Sequence, residues 1–75
     1  MNEKNHTIQL SHINKTGKYL IKKVENTNPK FVGMGIVEGN LIEILRITKH
    51  LIHFRICNTE MFSRKHDIIM ELEHA

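Results

Sequence analysis

Seventy-five residues, 40% of them hydrophobic but with only Tyr19, Phe31, Phe54 and Phe62 as aromatics and no Trp, allow one domain with a small core of Ile, Leu, Val and Met. So small a core is a poor wall for a deep substrate cleft, and a single cysteine, Cys57, excludes an intramolecular disulfide. The formal charge of +3 is uneven: residues 1–37 hold six Lys against two Glu, residues 38–75 five Lys or Arg against six acids. A modest basic face of this kind can meet nucleic acid, an anionic membrane surface or an acidic protein, and equally serves as ordinary solubility charge.

Met1 to His6 are polar and no apolar h-region follows, so neither a signal peptide nor a membrane-inserted segment is expected. Residues 1–7 read as a frayed N-terminus and 8–75 as the domain. Ile8, Leu10 and Ile13 stand among polar neighbours, with Ser11 placed to cap a helical turn, and Asn14-Lys15-Thr16-Gly17 reads as a turn. Lys18 to Glu25 reads as a strand in which Tyr19, Ile21 and, after a slip, Val24 face inward. A very short helix is expected next. Thr27 or Asn28 caps it, Pro29 sits in its first turn where a missing N–H costs nothing, and Phe31, Val32 and Met34 form its buried side. Gly35 falls where that helix stops, at a position that needs positive φ, and Gly39 suits the positive-φ corner of a tight turn.

From Leu41 the pattern becomes strand-like. Leu41 to Ile47 is rich in β-branched residues, and Thr48-Lys49-His50 breaks it. Leu51 to Cys57 then alternates, with Ile52, Phe54 and Ile56 on one face and His53, Arg55 and Cys57 on the other. Asn58-Thr59 reads as a turn, Glu60 to Ser63 as a short strand, Arg64 to Asp67 as a polar turn or a single 3₁₀ turn, and Ile68 to Glu73 as the last strand. Five short strands at this spacing with one brief helix predict a mainly all-β fold, a small closed barrel.

The order of these parts resembles the FeoA family, small cytosolic accessory proteins of bacterial ferrous-iron transport. The matching residues are Phe31-Val32, Met34-Gly35, Ile36, Val37-Glu38, Gly39 and Leu41 to Arg46, followed by Ile52 to Ile56, Met61-Phe62, Arg64-Lys65 and Asp67-Ile68. The likeness runs from about residue 8 to 73. Thr48-Lys49-His50 stands where the family has a longer hairpin loop with Gly, Asp and Pro, and Glu38 stands where it has Pro. The resemblance implies an SH3-like barrel of about five strands with one or two short helices. It also implies a role in iron homeostasis: docking on the cytoplasmic side of the GTP-binding membrane transporter FeoB, with no catalysis and no cofactor. Exposed apolar residues outside the main sheet are the natural contacts: Phe31, Val32, Met34, Gly35, Ile36, Val37 and Gly39. The same residues equally serve as a lid over the barrel, and Met suits both roles.

Two other classes compete. A transition-metal site would draw on His50-x-x-His53, Cys57 and His66. On a strand, however, His50 and His53 point to opposite faces, and His53 and Cys57 lie roughly 13 Å apart by strand rise, so three or four ligands do not converge. A nucleic-acid-binding barrel would use Lys15, Lys18, Lys22 and Lys23, but single strands also need aromatic platforms, which are few here. Cys57 with His53 is a poor nucleophile–base pair for the same spacing reason, and Ser11 and Ser63 have no motif around them. Gly33-x-Gly35-x-x-x-Gly39 is not a dinucleotide fingerprint, since a strand follows where a helix is required.

Overall fold

The computed structural model describes residues 7–25 and 29–75. Among these, six strands form one antiparallel sheet in the order β1-β6-β2-β3-β4-β5. The strands are β1 (Ile8–Gln9), β2 (Gly17–Val24), β3 (Leu41–Ile47), β4 (Leu51–Ile56), β5 (Thr59–Arg64) and β6 (Met70–His74). Helix α1 (Pro29–Gly33) lies between β2 and β3, and a 3₁₀ turn covers Leu10–His12. The fold is mainly β and barrel-like. A β2-to-β5 meander is followed by β6, which returns to the far side of β2 in an SH3-like arrangement.

The sheet curls because its two long strands are kinked. In β2 the register shifts between Ile21 and Lys23, and in β3 between Ile44 and Arg46. Each bulge adds one residue against the partner strand, which bends the ladder and raises its twist. The β2 bulge is the slip that lets Val24 join Tyr19 and Ile21 on the inner face, as the sequence pattern requires. Ile42, Ile44, Ile52, Phe54, Ile56, Met70 and Leu72 complete that face, all nearly without solvent exposure. Tyr19 is buried as well, and its hydroxyl donates to the Lys15 carbonyl at 2.9 Å, so burying the ring strands no polar group.

Several boundaries differ from expectation. A sixth strand, β1, pairs Ile8 with Leu72 and Gln9 with Glu71; two residues are too few to show a period in sequence. Ser11 caps nothing. It lies inside the 3₁₀ turn, whose N-cap is Gln9, with no side-chain cap bond. Thr7 donates to Glu71 at 3.3 Å, so this residue is tied to the barrel, while the expectation for residues 1–6 lies outside the described residues. The capping roles expected of Thr27 and Asn28 also lie outside them. The β4–β5 turn is Cys57-Asn58, one residue earlier than expected, so Cys57 leaves the strand. No described residue of α1 is fully buried, and Val32 is 52% exposed, so the helix meets the barrel through Phe31 alone among its apolar residues.

Candidate docking surface

The segment from Pro29 to Gly39 has a defined shape because the carbonyls of Lys30, Phe31, Val32, Gly35 and Val37 accept hydrogen bonds from within it or from Asn40. Proline occupies the first position of α1, where the fixed φ suits a helix start. At the other end the Gly35 N–H bonds the Val32 carbonyl at 3.0 Å and the Ile36 N–H bonds the Phe31 carbonyl at 3.0 Å. These are the two bonds of a Schellman stop, with Gly35 as the left-handed residue at φ +89°. The two residues that such a stop pairs are both apolar: Ile36 is in the core, and Phe31 is packed against that core. The Asn40 side-chain amide donates to the Gly35 carbonyl at 2.8 Å, and Gly39, at φ +94°, turns the chain into β3 while its N–H bonds the Ile21 carbonyl at 2.8 Å.

This geometry divides the expected contact residues. Ile36 is 1% exposed, so its side chain is core and offers nothing to a partner. Phe31, Met34 and Val37 are half-buried, and Gly35 is closed in by Ile56 and Cys57. Val32 is the apolar side chain that stands out into solvent, with exposed Gly39 at the far end of the segment. The segment is therefore both lid and surface: Ile36 and Phe31 close the barrel while Val32 faces outward.

Phe31 and Met34 form one wall of a shallow groove of about 170 Å³; Met61, Phe62 and Ile68 line the other side. Phe62 is 67% exposed, more than any other large apolar side chain described, and was not among the expected contacts. The sequence carries a signal for it. Any two-residue turn after inward-facing Ile56 leaves Met61 pointing in and Phe62 out. Moving the turn to Cys57-Asn58 decides only which residue Phe62 covers. Its ring stacks on His53, 4.2 Å between centroids and 11° from parallel.

The remaining candidates do not assemble into a site. His53 is committed to Glu60, its Nε2 lying 2.9 Å from a Glu60 oxygen, while Arg55 bridges Glu43 at 3.2 Å and Glu60 at 3.4 Å. His50 sits in the β3–β4 turn, His66 in the β5–β6 turn, and Cys57 in the β4–β5 turn at the opposite end of β4 from His50. Among the described residues no three His, Cys, Asp or Glu side chains are grouped to hold a metal ion. Lys15, Lys18, Lys22 and Lys23 are exposed, but Tyr19 between them is buried and provides no stacking face. No described helix is long and apolar enough to cross a membrane. No family model, no curated protein and no solved structure matches this chain.

Proposed function

We propose that this chain is a cytoplasmic accessory protein of ferrous-iron transport. It docks through Phe31 to Gly39 on the cytoplasmic side of a FeoB-type GTP-binding transporter and modulates that transporter's assembly or gating, without catalysis and without a cofactor of its own. The observation carrying this reading is Val32, an exposed β-branched side chain on a helix whose C-terminal stop and following turn are held by backbone bonds. A pre-shaped apolar projection of this kind binds without a large ordering cost. The choice of partner rests on the order of glycine-marked segments and strands that resembles FeoA.

The test is an affinity capture. The pure protein is immobilised, and lysate with detergent-solubilised membranes is passed over it with and without nuclease. Retention of the transporter in both samples, lost with Val32→Asp, is the expected result. Bound material that disappears with nuclease, with no transporter retained, overturns the reading in favour of a nucleic-acid partner.

A further inference from the structure

Strand β5 ends the sheet, and its outer edge has no neighbouring strand among the described residues. The Cys57-Asn58 hairpin determines which of its backbone groups face that edge. In a two-residue hairpin the closing pair, here Ile56 and Thr59, exchanges backbone hydrogen bonds, and bonded and non-bonded pairs then alternate along the ladder. The alternation continues to the far end, where the Lys65 N–H bonds the His50 carbonyl at 3.1 Å. The non-bonded pairs are therefore Arg55 with Glu60, His53 with Phe62 and Leu51 with Arg64. The close stacking of His53 on Phe62 fits a non-bonded pair, whose side chains approach most closely. It follows that Glu60, Phe62 and Arg64 aim their backbone groups away from β4 at the open edge. The Arg64 carbonyl is taken by the Asp67 N–H at 3.2 Å and the Ser63 hydroxyl at 2.8 Å. The others have no acceptor or donor among the described residues.

The side chains of these three residues share the outer face in the order acid, aromatic, base. That order is self-complementary. An antiparallel second copy centred on Phe62 places Phe62 against Phe62, and Glu60 against Arg64 at both flanks. We infer that two copies of this chain associate edge to edge through β5 about a two-fold axis at Phe62. Phe62 then exchanges a pair of backbone hydrogen bonds with its copy, and each Arg64 N–H reaches the other chain's Glu60 carbonyl. Native sheets blunt open edges with charge at the centre or with proline. Here the centre of the edge is an exposed phenylalanine, and the charges stand where they pair rather than repel. The groups already facing Glu60 are His53 and Arg55 on β4, so the incoming arginine adds to an existing cluster. A two-fold contact of this kind is isologous and closes on itself as a dimer. The contact is one strand wide, so association is concentration-dependent rather than obligate. This inference is independent of the transporter reading.

Sedimentation velocity over a concentration series tests it, using wild type, Glu60→Arg and Arg64→Glu. Wild type is expected to move from the mass of one chain toward two. Each single variant faces like charge across the axis and is expected to remain a single chain. An equimolar mixture of the two variants restores opposite charge at both flanks and is expected to pair again. A variant-free check is amide exchange on wild type: the Phe62 and Arg64 N–H groups are expected to slow as concentration rises, while the Met61 and Ser63 amides, already bonded within the chain, are unchanged. Wild type that stays monomeric throughout, single variants that pair as well as wild type, or a mixture that does not pair overturns the proposal.

Discussion

Gly35 is where two demands on one residue meet. Its φ of +89° lies in the region that L-residues adopt at a cost of about 1–2 kcal/mol. A Cβ there would also stand 3.0 Å from Ile56 Cγ2 and 3.2 Å from Cys57 Sγ, so these two side chains would have to give way by a few tenths of an ångström. Gly39 shares the first demand at φ +94° but has nothing within 4 Å of a Cβ. The pair separates strain from crowding. Gly39→Ala is expected to lose about 1–2 kcal/mol in urea titration, and Gly35→Ala about 1–3 kcal/mol more through overpacking against β4. Equal losses for the two would mean that the approach of Ile56 and Cys57 relaxes freely. Tyr19 offers a second residue-scale test. Tyr19→Phe keeps the buried ring and leaves the Lys15 carbonyl without its donor, so a loss of about 1 kcal/mol is expected by the same titration.

The β4–β5 hairpin is the element with the most to say about chain direction. Both turn residues carry positive φ, +52° at Cys57 and +67° at Asn58, the pattern of a type I′ turn whose twist matches the flanking strands. Asparagine tolerates this backbone and cysteine does not, so the turn is held by the strands it joins rather than by its own preference. Replacing Cys57-Asn58 with Asn-Gly is expected to raise stability by about 1 kcal/mol, read as a higher denaturant midpoint with an unchanged slope. A fall would mean that the Cys57 side chain contributes packing beside Asn40 and Gly35 beyond its conformational cost. The exposed ion pairs on the same hairpin make a contrast. Arg55 with Glu43 and Glu60 is partly solvated, so each pair contributes at most about 1 kcal/mol.

At the scale of the molecule, the curled sheet holds a single core, and the two surfaces argued above lie on different elements. Val32 projects from α1, and Arg64 from the end of β5. Both side chains are exposed, so Val32→Asp and Arg64→Glu are each expected to change folding stability by no more than about 0.5 kcal/mol. Their functional effects should cross over. Val32→Asp abolishes transporter capture and leaves self-association intact, and Arg64→Glu does the reverse. Capture and sedimentation on the same preparations read both. Loss of both properties in either variant would mean that the groove between α1 and β5 is one surface rather than two.

The alternation of Ile52, Phe54 and Ile56, the stop at Gly35 and the corner at Gly39 were legible in sequence because each is a local requirement: a strand repeats every two residues, and positive φ selects glycine. The slip in β2 was legible for the same reason, since Val24 falls out of phase with Tyr19 and Ile21. The sixth strand was not, because Ile8 and Gln9 are held by β6 from the other end of the chain. Nor was the turn at Cys57-Asn58, where the pairing of β4 with β5 overrides a cysteine's poor fit to positive φ. The division of Phe31 to Gly39 into a buried Ile36 and an exposed Val32 also needed the barrel, since a helix of one turn has no period long enough to show which face is covered. So the residues by themselves determined the five longer strands and the glycine-marked bends, while the two-residue strand and the exact place of the β4–β5 turn came from pairing across the sheet. Only tertiary packing decided which apolar side chains were left over for contact, because exposure depends on neighbours distant in sequence.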